Sequence, residues 1–232
     1  MEPIPETDEA LSELERFGDT YLREDLAEVA AAAKAKIPTL VGLSLTLVAE
    51  QLVLTYVATA GDVAVLDALQ YVDGGPCIEA VEADEVVGTD IEDLLDEGRW
   101  QLFAQGTAAA GVRSTLSIPF GAEGIVTGGV NLYGGDPTSF QGREGELATL
   151  FGGWAPGVVS NADLSFSTRL EAVGSPERLK GQAYVDQAVG LLVSARGIDV
   201  QSAEERLYRA AAQAGSSVVA LARAIVNAFT GE

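Results

Sequence analysis

Two apolar repeat periods divide this chain and limit what it can fold into. Strand-like alternation is confined to the stretch between residues 41 and 133, where Leu43, Leu45 and Leu47 alternate with Ser44, Thr46 and Val48. After residue 176 every apolar stripe has helical spacing, beginning with Val185, Ala188, Val189 and Leu192 at i, i+3, i+4 and i+7. A mixed sheet-and-helix unit followed by an all-helical unit is the arrangement these periods predict.

Charge divides the chain at the same place. Residues 1–175 hold 29 acidic and eight basic side chains, whereas residues 176–232 hold six of each. The whole acidic excess, a net charge of −21, therefore belongs to the first unit. Such a surface repels nucleic acid, because phosphate contacts rest on Lys and Arg. The neutral tail does not carry that handicap.

Composition removes several kinds of chemistry. With no histidine and a single cysteine, Cys77, the chain has no Ser-His-Asp triad, Cys-His dyad, imidazole metal site or multi-thiolate zinc site. No disulfide forms within the chain, and Cys77 reads as a small buried hydrophobe rather than a redox switch. No catalytic motif stands out, no cofactor is implied, and an enzyme is not expected. The apolar runs are too short for a membrane span, and the N-terminus lacks a signal peptide's layout, so a soluble, cytoplasmic protein is expected.

Along the chain, Leu11, Leu14, Tyr21, Leu22, Leu26, Val29 and Ala33 predict an amphipathic N-terminal helix ended by Ile37-Pro38. It either covers its own domain or packs on a second copy. Strands are predicted at Val41–Glu50, Leu52–Thr59, Val86–Asp90, Arg113–Phe120 and Gly124–Tyr133. Helices fall at Val63–Tyr71, after Pro76, at Arg99–Ala110 with Gly111 closing it, and at Glu144–Ala162 with a bend near Pro156. In the tail, Gly197 is placed as a left-handed C-cap and Asp199 as the N-cap of Val200–Ala214. The inner face of that helix is Ala203, Leu207, Ala210, Ala211 and Ala214. Ser217 caps a third helix that buries Val218, Leu221, Ala222, Ile225 and Phe229, leaving Val219 exposed.

The tail motif Gln187, Ala188, Gly190, Leu191, Leu192, Val193 and Gly197 resembles the core of the ANTAR domain, a three-helix RNA-binding module, over Arg178–Val226. Leu40–Ala162 resembles a GAF domain, through Gly75-Pro76-Cys77 with Ala80, Arg99-Trp100, Gly111-Val112-Arg113-Ser114, Ser117-Ile118-Pro119 and Gly129-Val130-Asn131-Leu132-Tyr133. The fold class implied is α+β: an antiparallel GAF (PAS-like) sheet with helices, then an all-α ANTAR bundle. Expected boundaries are 1–38 for a helical extension, 39–163 for the GAF sensor, 164–176 for a linker and 177–232 for the ANTAR domain.

The resemblances imply a homodimeric transcription antiterminator that binds paired RNA hairpins in leader transcripts, with a small-molecule ligand or dimer contact in the GAF domain. The cyclic-nucleotide signature Asn-Lys is absent from it. Candidate RNA-binding residues are Arg178, Lys180, Gln187, Arg196, Arg206, Arg209, Ser216, Ser217 and Arg223. One departure is marked: where the family carries an Asn-Arg-Lys-Leu-Arg run, this chain has Gly215, Ser216, Ser217, Val218 and Val219. The alternative is therefore an interaction module whose ANTAR-like bundle has lost RNA binding and docks a protein partner.

Overall fold

The structure, a computed structural model, describes residues 22–49, 52–59, 61–90, 100–122, 125–159 and 181–230. Helix α1 (Leu22–Lys36) leads into the hairpin β1 (Leu40–Ala49) and β2 (Leu52–Ala58), then α2 (Gly61–Asp73) and α3 (Pro76–Ala83). Next come β3 (Val87–Asp90), α4 (Gln101–Ala109), β4 (Ser114–Ala122), β5 (Ile125–Gly134) and α5 (Glu144–Val159). The chain ends in α6 (Gln182–Arg196), α7 (Val200–Ala214) and α8 (Val218–Thr230). The five strands pair antiparallel in the order β2-β1-β5-β4-β3. This is the α+β sheet followed by three helices that the two repeat periods predict.

Alternation along the strands gives the sheet two unlike faces. Leu43, Leu45, Leu116, Ile118, Val130 and Leu132 form an apolar layer under Leu147 and Phe151 of α5, joined by Ala30 and Ala33 of α1 and by Ile37 just beyond it. The described part of the N-terminal helix thus covers its own sheet; residues 7–21 of the predicted helix lie outside the described residues. Ser44, Thr46, Ser117 and Asn131 point the other way and are equally buried, under α2 and α3. The predicted helix at Glu144–Ala162 runs as one helix from Glu144 through Gly152, Gly153 and Pro156 to Val159, and residues 160–162 lie outside the described residues.

The three C-terminal helices fold where local signals place them. Gly197 (φ 63°) closes α6 by donating its N–H to Val193 O at 3.0 Å. The Asp199 carboxylate accepts the Ser202 N–H at 2.9 Å and starts α7. Gly215 and Ser216 close α7 onto Ala212 O and Ala211 O, and the Ala220 N–H donates to Ser217 Oγ at 3.1 Å to start α8. Alanines on α7 let the helices come close, so Ala203, Leu207, Ala210, Ala211 and Ala214 are all buried.

Two side chains depart from expectation. Phe229, in the last turn of α8, is 43% exposed, whereas Val226 one turn earlier is buried. Val219 is not a free apolar surface: it packs against the main core, and a Cβ on Gly181 would meet both its γ-carbons at 2.3 Å.

The bundle does not stand apart from the sheet unit. Val185, Leu192, Leu207, Leu221 and Ile225 share one core with Val63, Leu66, Leu69, Val72, Leu102 and Phe103 of α2 and α4. Each large apolar side chain buried there contributes about 1.5–3 kcal/mol. Close approach within that layer depends on Gly106 of α4, whose Cβ would overlap Leu69 Cδ1 at 2.2 Å.

Candidate functional site

The sequence-derived candidates fall into three groups once they are placed on the bundle. Gln187 is exposed on the outer side of α6, and one turn further on lies Gly190, also exposed, where a Cβ would meet nothing within 4 Å. Arg223 of α8 is exposed and sits over the ring of Tyr184, 5.2 Å from its centroid. Tyr184 is itself 39% exposed. Arg209 is exposed on α7. Aromatic rings and guanidinium planes on an open helical face are the groups on which unstacked RNA bases rest.

The second group is turned inward, towards the sheet unit. Arg196, in the last turn of α6, donates to the backbone oxygen of Asp73 at 2.9 Å and pairs with its carboxylate. Arg206 of α7 donates to Val72 O at 2.8 Å. Both guanidiniums therefore lie on the carbonyl end of α2, where the helix carries roughly half a negative charge. Partial burial and the neighbouring Arg206 hold the Arg196 guanidinium below its ordinary pKa. Asp73 also accepts the Leu102 N–H at 3.2 Å, so one carboxylate joins the end of α2, the start of α4 and the end of α6. A buried Gln213 Nε2 completes the seam by donating to Val53 O at 3.0 Å. Beside the Asp73–Arg196 pair, Trp100, Leu102, Leu192 and Phe229 line a cleft of about 430 Å³ between the two units.

The third group makes no surface. Ser216 is buried, with no hydrogen-bond partner for its hydroxyl among the described residues, and Ser217 is half-buried and spent as a cap. Arg178 and Lys180 lie outside the described residues.

Under the sheet's polar face lies a second concentration of chemistry, which sequence reasoning missed. The Asp67 carboxylate is fully buried and accepts from Tyr133 Oη, from Asn131 Nδ2 at 3.1 Å and from Thr55 Oγ1 at 2.9 Å. Gln70 Nε2 donates onward to Tyr133 Oη at 3.1 Å, and its Oε1 accepts the Cys77 N–H at 2.8 Å. Burial pushes the Asp67 carboxyl above its usual value despite these donors, since a charge removed from water is costly without a cation beside it. Burial and the Asp67 charge likewise push the Tyr133 phenol well above 10. They raise the Cys77 thiol to about 12, which leaves it protonated and unreactive at neutral pH. The signal available in the sequence was a lone acid inside the apolar run Val63–Tyr71.

No cluster of three or more His, Cys, Asp or Glu side chains suited to a metal ion occurs among the described residues, and no helix there is long and apolar enough to cross a membrane. Residues 176–226 match the family model described as the ANTAR domain, a span that takes in α6, α7 and most of α8. Two solved structures are similar to the chain. One is a domain of a two-component sensor histidine kinase from Sinorhizobium meliloti 1021, with 15% identity, TM-score 0.44, and coverage of 64% of this chain and 96% of that one. The other is the GAF domain of a two-component sensor histidine kinase from Bacillus halodurans, with 12% identity, TM-score 0.42, and coverage of 60% and 94%. No curated protein sequence matches the chain.

Proposed function

Starting from an ANTAR domain at residues 176–226, we infer that the chain is a signal-responsive RNA-binding regulator that promotes transcription antitermination. Its C-terminal bundle, residues 177–232, reads hairpin loops in leader transcripts. Its α+β unit, residues 39–163, is a GAF-type sensor that responds to a small molecule or to pairing with a second copy. Residues 1–38 and 164–176 serve as helical extension and linker. The protein acts in the cytoplasm as a homodimer, so that two bundles meet two hairpins.

The observation that carries this reading is the outer face of α6, where Gln187, Gly190 and the Tyr184–Arg223 pair lie open together. An interior glycine costs a helix up to about 1 kcal/mol, and here it fills no packing need. Its value lies in letting a partner backbone approach. The test is a gel shift with leader RNAs carrying two hairpins or one. Preference for the two-hairpin RNA at low salt supports the reading; failure of both RNAs to shift removes it.

A second reading has its own support. Arg196 and Arg206 are spent on the α+β unit, which thins the cationic surface and suits a bundle that docks protein instead. Replacing Arg178, Lys180, Arg196 and Arg209 together separates the two: lost RNA binding favours the first, and retained partner binding with no RNA signal favours the second.

A further inference from the structure

We propose that the carbonyl end of α2 is an internal stand-in for RNA phosphate, which occupies Arg196 and Arg206 and holds the bundle in a low-affinity state until it is displaced. This rests on the RNA-binding reading and adds to it the location of a phosphate contact and its control. Three oxygens carry the argument: Val72 O on Arg206, and Asp73 O with the Asp73 carboxylate on Arg196. Together with the negative end of the helix dipole they offer two guanidiniums what a phosphate offers, several acceptor oxygens around a localised negative charge.

The match is one of charge as well as geometry. The bundle is neutral overall, with six basic side chains, and two of them are held by a unit that carries the entire acidic excess. An RNA strand arriving at this corner must compete with groups already at hydrogen-bonding distance. Exchange is open to solvent at one edge, since the Arg196 side chain is 40% exposed while that of Asp73 is 9% exposed. The adjoining cleft shares Asp73 and Arg196 as lining, so anything that loosens the last turn of α2 also frees both arginines.

Asp73 is the residue to change, because it lies on the sensor side and is not itself an RNA contact. Asp73→Asn keeps an oxygen to accept the Leu102 N–H and removes the charge; Asp73→Ala removes both. In the full-length chain, RNA affinity measured by fluorescence anisotropy on a two-hairpin leader RNA is expected to rise about tenfold for D73A and less for D73N. The slope of log affinity against log salt should steepen by about one to two, the signature of extra phosphate contacts. In an Arg196→Gln background the gain from D73A should shrink, as coupling through that arginine requires. Wild type binding RNA without any gain in D73N or D73A, or the same gain with and without Arg196, overturns the stand-in and leaves the RNA reading intact. Absence of RNA binding in wild type, D73N and D73A alike overturns both.

Discussion

Replacing Gly190 with alanine tests stability and function at one atom. The glycine sits in the middle of α6, exposed, and the added methyl would meet no atom within 4 Å. No overpacking therefore opposes the gain in helix propensity, which is about 0.8–1 kcal/mol for Gly to Ala in a helix interior. The full difference should appear as stabilisation. In a chain of this length that corresponds to a rise in melting temperature of about 2–4 °C. Urea denaturation followed by far-UV circular dichroism would read it as a higher midpoint at unchanged slope. RNA affinity should move the opposite way, because the methyl stands where a nucleic-acid backbone would come closest. A lower midpoint would show that the helix face is not open as described. A higher midpoint with unchanged RNA affinity would show that this face is not where RNA sits.

Three further outcomes follow from packing and titration. Gly181→Ala should destabilise the bundle by about 1–3 kcal/mol in the same denaturation assay, since both γ-methyls of the stiff, β-branched Val219 stand in the way of the new Cβ. Asp67 has a raised pKa when folded, so the stability it contributes is fully present below the unfolded value near 3.8 and is lost as pH rises through the folded value. Asp67→Asn, whose amide can donate to Thr55, should therefore gain on wild type as pH rises above the unfolded value near 3.8; a stability difference that stays constant with pH contradicts the assignment. Cys77, raised to about 12 and buried, should resist a thiol-reactive disulfide reagent at pH 8 until the protein is unfolded; rapid labelling of the folded protein would place it elsewhere.

What could be read from the sequence was what is encoded locally. Gly197, Asp199 and Ser217 mark helix ends through their own backbone preferences, and each does so in the structure. The alternation of Leu43, Leu45 and Leu47 with Ser44 and Thr46 gave the sheet two faces, but period alone cannot tell a polar face in water from one under a helix. Only α2, with Asp67 facing Asn131 and Tyr133 from more than 60 residues away, decides that. The same holds for the arginines. Arg196 and Arg206 look like free cations in sequence, and their partners at Asp73 and Val72 are over 120 residues distant. Phe229 misled for a related reason: helical spacing put it on the buried stripe, yet it stands 43% exposed beside the cleft lined by Trp100, Leu102 and Leu192, which spacing along α8 cannot reveal.

The central claim is that the C-terminal bundle grips RNA through its remaining cations. Titrating a labelled two-hairpin leader RNA with the full-length chain at increasing salt measures that directly. The account predicts affinity that falls steeply with salt and disappears when Arg178, Lys180, Arg196 and Arg209 are replaced. An affinity that ignores both salt and those four substitutions would contradict it.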